Sequence, residues 1–537
     1  MLVARRLIWI ALAALAVAAV TALIFLIRAG GVGETNWPIN FELRSSDNGP
    51  LFQFAQDVFN GRPLDWSFSP QVFVFPEIPI SLLGYLLAGG TVQLYYLMVA
   101  CINSALVFLC LFAIIRYLFP AEPLGPRVLR ASIAMVPLLY LALNGNTWLF
   151  EYQLAPTYYF GMYLMILIAP ALFLARARWV RIVLAIAIAL TAASNPLGLV
   201  FTIPAAIVIV IVSWISSGWR SVRAPILWTA ASLLLALAIR LLFFGSLQGT
   251  SPLSYVSASS FAGRLQNLRS YLQAMLFEWS TGVVLCIGVA LLFAGLVVGA
   301  VFVVRAIRRR LSVNGYVIIY YALVPITGLV ATGVLLITEY LYLWPVIILP
   351  LVLALVPLPR RRLVPVAIAG ALLLVVVGAA SGGIVNLEQS PTYFSYRNPD
   401  TQCLDEKLPR GVTIGYSTFS DARRIELTSH RGIRLIQLKS NGMRAYWLTN
   451  RDYARDSVGQ FFFINYQGDE PPISTSYLEK NFGQPDSTFR CAGGVKVLVY
   501  TSPAKLAKIK ARYETPPPPG ESLAPIRQGS SRVQAVS

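Results

Sequence analysis

Apolar runs of about 20 residues, the length that crosses a hydrocarbon core, recur along the chain and are separated by short polar segments rich in arginine. This pattern predicts spans at 7–27, 94–117, 131–144, 160–175, 181–195, 197–217, 225–244, 281–304, 314–337, 340–358 and 363–384, about eleven in all. The first run follows Arg5 and Arg6 and is too long for a secretory h-region, so it reads as an uncleaved signal anchor with a cytoplasmic N-terminus. Beyond residue 388 the period shortens. Runs at 412–416, 433–438, 461–466 and 495–500 read as strands, and 420–428, 475–482 and 504–513 as helices. The expected fold class is therefore an α-helical polytopic membrane domain over residues 1–385, followed by a small α/β domain over 388–513. Residues 514–537, with Pro516 to Pro519 and a Gly, Ser and Gln-rich remainder, cannot bury apolar area and read as a disordered tail.

The segment 28–79 is long for a connection between spans and predicts structure of its own. Asp47 can cap a helix over 48–59. Leu51, Phe52, Ala55, Val58 and Phe59 would form its apolar face, and Gln53, Gln56 and Asp57 its polar one. Such a helix is expected to lie along the membrane surface. Trp66, Phe68, Val72, Phe73 and Phe75 follow, then Glu77, then an apolar segment over 78–87 that is too short to span.

Composition and charge agree with a membrane protein: 57% of residues are apolar and the net charge is +19. Most of the positive excess is arginine in alternate short loops, from Arg116 to Arg362, all on the side of Arg5 and Arg6. This dispersal fits anionic lipid headgroups and gives no nucleic-acid face. Carboxylates invert the pattern. Within residues 1–385 only Glu122 falls on the cytoplasmic side, whereas Glu34, Glu42, Asp47, Asp57, Asp65, Glu77, Glu151, Glu278 and Glu339 fall outside or at the outer edge. Because carboxylates contribute little to topology, the asymmetry points to outward-facing chemistry. Cys403 and Cys491 share the outward segment and are candidates for a disulfide. The absence of any Asn-x-Ser/Thr acceptor leans toward a bacterial periplasm. His430 is the only histidine, so His-based zinc sites and triads in the membrane domain are excluded. No Walker A or dinucleotide glycine pattern occurs.

Asp47 after the first span, a surface helix behind it, and Glu77 thirty residues later in the context Phe75-Pro76-Glu77-Ile78-Pro79 together resemble the integral-membrane glycosyltransferases of the GT-C class. More narrowly, they are similar to the lipid A aminoarabinose transferases and protein O-mannosyltransferases. The chain departs from that pattern at Asn48, where a second acid is usual, and at Ile78, where the aminoarabinose enzymes carry lysine. The resemblance implies an inverting transferase of a bacterial inner membrane, taking a sugar from a polyprenyl-phosphate donor to a glycan, lipid or protein acceptor on the periplasmic side. Asp47 would be the general base, since the phosphate leaving group needs no strong acid. Glu77, Asp57, Glu339, Tyr340 and Tyr342 are candidate substrate contacts, and Arg240, Arg264 and Arg269 candidate partners of the lipid phosphate. No cofactor is required and no metal ligand set is indicated, although a divalent metal is compatible with the class. A secondary transporter or lipid-linked-sugar flippase is the alternative, against which stands the lack of an internal repeat with paired helix breaks.

Overall fold

The computed structural model of the protein describes residues 2–30, 49–68, 72–143, 160–175, 177–244, 317–324, 358–380, 383–445, 448–450, 458–466, 471–491 and 494–513, with isolated positions between 266 and 308. The N-terminal part is helical: α1 (Leu2–Gly30), α2 (Gly49–Phe59), then a two-residue strand β1 (Trp66–Ser67), α3 (Glu77–Leu87), α4 (Val92–Leu118), α5 (Leu124–Leu143), α6 (Phe160–Leu174), α7 (Arg178–Ser194), α8 (Leu197–Ser217) and α9 (Trp219–Ile239). A π-helical segment, Arg240–Phe244, prolongs α9, and α10 (Leu363–Ala380) and α11 (Gly383–Ser395) close the bundle. Among the described residues five helices are long and apolar enough to cross a membrane, within α1, α4, α8, α9 with its π segment, and α10. The chain is thus a membrane-embedded multi-pass helical protein. The count of eleven spans is not reached by this measure: α6 and α7 are shorter, and the expected spans at 281–304, 314–337 and 340–358 lie mostly outside the described residues.

Proline inside a span removes an N–H and strands the carbonyl one turn before it. In α6 that proline is Pro170, and the stranded carbonyl is that of Ile166. It accepts the Tyr320 hydroxyl at 3.1 Å, while Tyr321 donates to the next carbonyl, Leu167, at 2.7 Å. Two adjacent tyrosines on helical residues 317–324 thereby repair a defect 154 positions away in sequence.

The C-terminal domain consists of α12 (Pro399–Lys407), β2 (Ile414–Ser417), α13 (Phe419–Thr428), β3 (Arg434–Gln437), β4 (Thr449–Asn450), β5 (Gln460–Ile464), α14 (Thr475–Phe482), β6 (Ser487–Arg490), β7 (Lys496–Tyr500) and α15 (Pro503–Tyr513). Five strands form one sheet in the order β3-β2-β5-β7-β6, with β2 parallel to β3 and β5, and β7 antiparallel to β5 and β6. Alternation along the strands sends Ile414, Tyr416, Ile436 and Phe462 toward α14 and α15, and Leu435, Phe461, Phe463 and Val497 toward α12 and α13. A disulfide joins Cys403 of α12 to Cys491, just after β6. The domain boundary expected at 385–388 falls inside α11, which packs along α1 with Phe25 edge-on to Tyr393 at 5.6 Å.

The helix expected over 48–59 forms as α2, with a different setting from the one its pattern suggested. Its apolar face packs on α3 and α4: the Phe52 ring lies 5.1 Å from Tyr95, Phe59 stacks on Tyr85 at 5.2 Å, and the Ser81 hydroxyl donates to the Leu51 carbonyl. Its polar face meets α13 and β3 of the C-terminal domain rather than water. Nearby, β1 pairs antiparallel with β4, Trp66 opposite Asn450 and Ser67 opposite Thr449. The segment 49–68 and the C-terminal domain are therefore fastened together beside β3, an edge strand that would otherwise present unpaired groups.

Candidate functional site

Three groups of polar residues involve the described parts of the segment 28–79. The first surrounds Glu77. The segment leading to it is tied to the last residue of α7, Val72 N–H donating to the Ser194 carbonyl at 2.9 Å and Phe75 N–H to the Ser194 hydroxyl at 3.0 Å. Phe73, between these ties, takes a left-handed φ of 53° although it is buried, a conformation that persists only where its surroundings enforce it. The Phe75–Pro76 peptide is cis. Glu77 then opens α3 and reaches the start of α6, where Gly161 N–H donates to Oε1 at 2.8 Å. A carboxylate suits that position because the first N–H groups of a helix lack intrahelical partners and carry partial positive charge.

Gly161 is required for this approach. A β carbon there would lie 2.5 Å from Pro76 Cδ and 2.8 Å from Glu77 Oε1. Glu77 is only 3% exposed, and its Oε2 is enclosed with no hydrogen-bond partner among the described residues. Burial pushes the carboxyl up to about 7, with the Gly161 N–H pulling the other way. α3 is too short to span, so Glu77 stands at an end of the bundle and not within a spanning helix. It has the capacity to hold a proton near neutrality and to offer one further hydrogen bond.

Arg240 sits beside the same helix end. Its guanidinium donates from Nη1 to the Ala193 carbonyl at 2.8 Å, capping the last turn of α7, a favourable place for a cation. The turn that follows is fixed by Asn195, whose side chain accepts the Leu197 N–H at 3.1 Å. The segment that leads to Glu77 and the Arg240 guanidinium thus both meet the last turn of α7, at Ser194 and Ala193, a juxtaposition that no local spacing in the sequence announces.

The second group contains Asp57. Its carboxylate is fully buried, accepting Trp66 Nε1 at 3.1 Å and Asn450 Nδ2 at 2.9 Å, with Arg434 Nη2 at 3.7 Å. Asn450 also donates to the Pro63 carbonyl at 2.7 Å. Alongside, Arg434 donates to Gln56, and Arg423 donates to Gln53 and, at 2.6 Å, to Glu426. Arg423 and Glu426 have no exposed side-chain surface, and burial raises the Glu426 carboxyl against the opposing pull of Arg423 and Arg434. Asp57, expected as a substrate contact, is thus enclosed by donors of the protein itself and joins two parts of the chain. The third group is a single cation. Arg28, at the end of α1, has Nε and Nη2 enclosed without a hydrogen-bond partner among the described residues.

No family model matches this chain, and no curated protein matches it. The site is read on its own geometry. Asp47, Arg264, Arg269, Glu339, Tyr340 and Tyr342 lie outside the described residues. Of the remaining expected site residues, Glu77 lies against the start of α6, Arg240 caps the end of α7, Asp57 lies at the domain interface, and Cys403 is paired with Cys491. Gly161, Ser194, Arg423 and Arg434 were not singled out from sequence. The i, i+3 spacing of Arg423 and Glu426 is the one local signal that could have flagged any of them. Among the described residues no group of three or more His, Cys, Asp or Glu side chains is placed to hold a metal ion.

Proposed function

We propose that this protein is an inverting glycosyltransferase of a bacterial inner membrane, moving a sugar from a polyprenyl-phosphate donor to an acceptor on the periplasmic side. Asp47 acts as general base, taking the proton of the acceptor hydroxyl as it attacks the anomeric carbon, while the lipid phosphate leaves as a stable anion. The observation that carries this reading is Glu77: a buried carboxyl with one oxygen unpartnered, held at the start of α6 in the same loop that follows Asp47. A carboxyl so placed can bind a sugar hydroxyl without competing with Asp47 for the acceptor proton. Arg28, at the end of the first span, is a cation with unused donors of the kind a lipid phosphate needs.

The test is an assay of purified full-length protein in vesicles with a panel of polyprenyl-phosphate sugars, comparing Asp47→Asn with the unaltered chain. Transfer should fall by about 100-fold or more in the variant, the usual contribution of a general base. Undiminished turnover removes Asp47 from its role. Saturable movement of a lipid-linked sugar across the vesicle membrane, with no transfer, replaces the enzyme by a transporter.

A further inference from the structure

We propose that the C-terminal domain sets the geometry of the first outer loop for transfer, with Arg423 of α13 and Gln53 of α2 as the positioning pair. The proposal rests on the reading of Asp47 as base given above. Helix α2 is held from the C-terminal domain at both ends. Near its start, Leu427 lies against Gly49, where a β carbon would be 3.2 Å from the leucine side chain. One turn on, Arg423 donates to Gln53, and toward its end Arg434 donates to Gln56 while Asn450 and Arg434 face Asp57. The pairing of β1 with β4 fixes the chain just beyond.

The direction of support matters. Arg423 is itself immobilised by Glu426, which also accepts the backbone N–H of Leu435 in β3, so the arginine is referenced to the sheet and transmits that reference to α2. Asp47 stands two residues before Gly49, a separation of at most about 7 Å along the chain. The proposed base is therefore covalently close to the helix that Arg423 holds, and displacements of about 1 Å cost of order 100-fold in rate when a reacting group must be aligned. Neither Gln53 nor Arg423 need touch substrate for this.

The experiment uses the full-length protein and two readouts. Gln53→Ala removes the acceptor on α2 while leaving Arg423 paired with Glu426, so the C-terminal domain keeps its buried charges compensated. It should lower kcat about tenfold with KM within about twofold, the signature of an interaction felt in the transition state alone. Gln53→Glu, which keeps an acceptor facing Arg423, should restore most of the loss. The second readout is a cross-link between Gly49→Cys and Leu427→Cys, located by digestion and mass analysis, which should form readily and decline when Gln53→Ala is added. Unchanged kcat in Gln53→Ala, a loss confined to KM, or a cross-link indifferent to Gln53 overturns the positioning role and leaves the glycosyltransfer reading standing. Absence of transfer by the unaltered chain with every donor overturns that reading and this one together, while the cross-link still reports the docking of α2.

Discussion

Asp57 and Glu77 belong to the same loop, are twenty residues apart, and are both almost completely buried, yet one faces a cation and the other does not. Asp57 accepts an indole N–H and an amide on Oδ2, and its charge is faced by the Arg434 guanidinium 3.7 Å from Oδ1, the amide and the guanidinium being contributed by the C-terminal domain. Among the described residues Glu77 meets only backbone N–H groups, that of Gly161 on Oε1 and its own, with no opposing cation, and Oε2 has no hydrogen-bond partner. Burial alone therefore does not distinguish a structural carboxylate from one with unused chemistry. The inventory of donors does, because an ionised group out of water is stable only where donors replace its hydration. Asp57 is a fastening; Glu77 has room for a proton or a ligand.

Asp57→Ala leaves Arg434 buried without its carboxylate and Trp66 and Asn450 without their acceptor, so stability should drop by about 3–5 kcal/mol, read as a lower unfolding temperature of the protein in nanodiscs. A loss under about 1 kcal/mol, the worth of an exposed pair, would place Asp57 in water instead.

Glu77 sharpens the contrast through pH. Its folded value, about 7, lies above the ordinary carboxylate range, so between roughly pH 4.5 and 7 the folded state binds more protons than the unfolded state. Stability from this group is therefore fully present at low pH, declines as pH rises through that window, and levels off above it, with a total on the order of 3 kcal/mol. Glu77→Gln should remove this component of the pH profile. A profile identical in the two proteins would mean that Glu77 is solvated or fully paired.

Gly161→Ala probes the cradle rather than the carboxyl. The added carbon must displace Pro76 and Oε1, an overpacking expected to cost about 1–3 kcal/mol and to flatten the Glu77 component of the pH profile as the carboxyl is pushed out. An unperturbed unfolding temperature would show that the loop yields at no cost.

A third buried polar group extends the scale. Gln437, at the end of β3, is 0% exposed, and neither polar atom of its amide has a hydrogen-bond partner among the described residues. Gln437→Met should leave stability unchanged or raise it by about 1 kcal/mol, since an unsatisfied amide is removed and similar volume retained. A clear loss of unfolding temperature would reveal that the amide has partners.

Much of this organisation was written locally. Helix α2 follows from its i, i+3, i+4 apolar positions, and four of the five strands of the sheet from short β-branched and aromatic runs such as Gln460–Ile464. The Glu77 position was flagged by its place in an aromatic, proline-rich loop. The two-residue pairing of β1 with β4 was not foreseen, because Trp66–Ser67 and Thr449–Asn450 are too short to carry a period. Strand β6 escaped for a related reason: Ser487–Arg490 is a largely exposed edge strand without an apolar stripe.

A multi-pass helical membrane protein with a small α/β domain at its C-terminal end is legible in the chain alone, because the length and period of apolar runs are properties that neighbouring residues share. Tertiary structure alone decided what the polar residues do. Gln53 and Arg423 are 370 positions apart, Asp57 and Asn450 393, and Glu77 and Gly161 84. Partnership across such distances is fixed by which surfaces the packed helices and sheet bring together, and a carboxylate in the sequence looks the same whether or not it will face a cation.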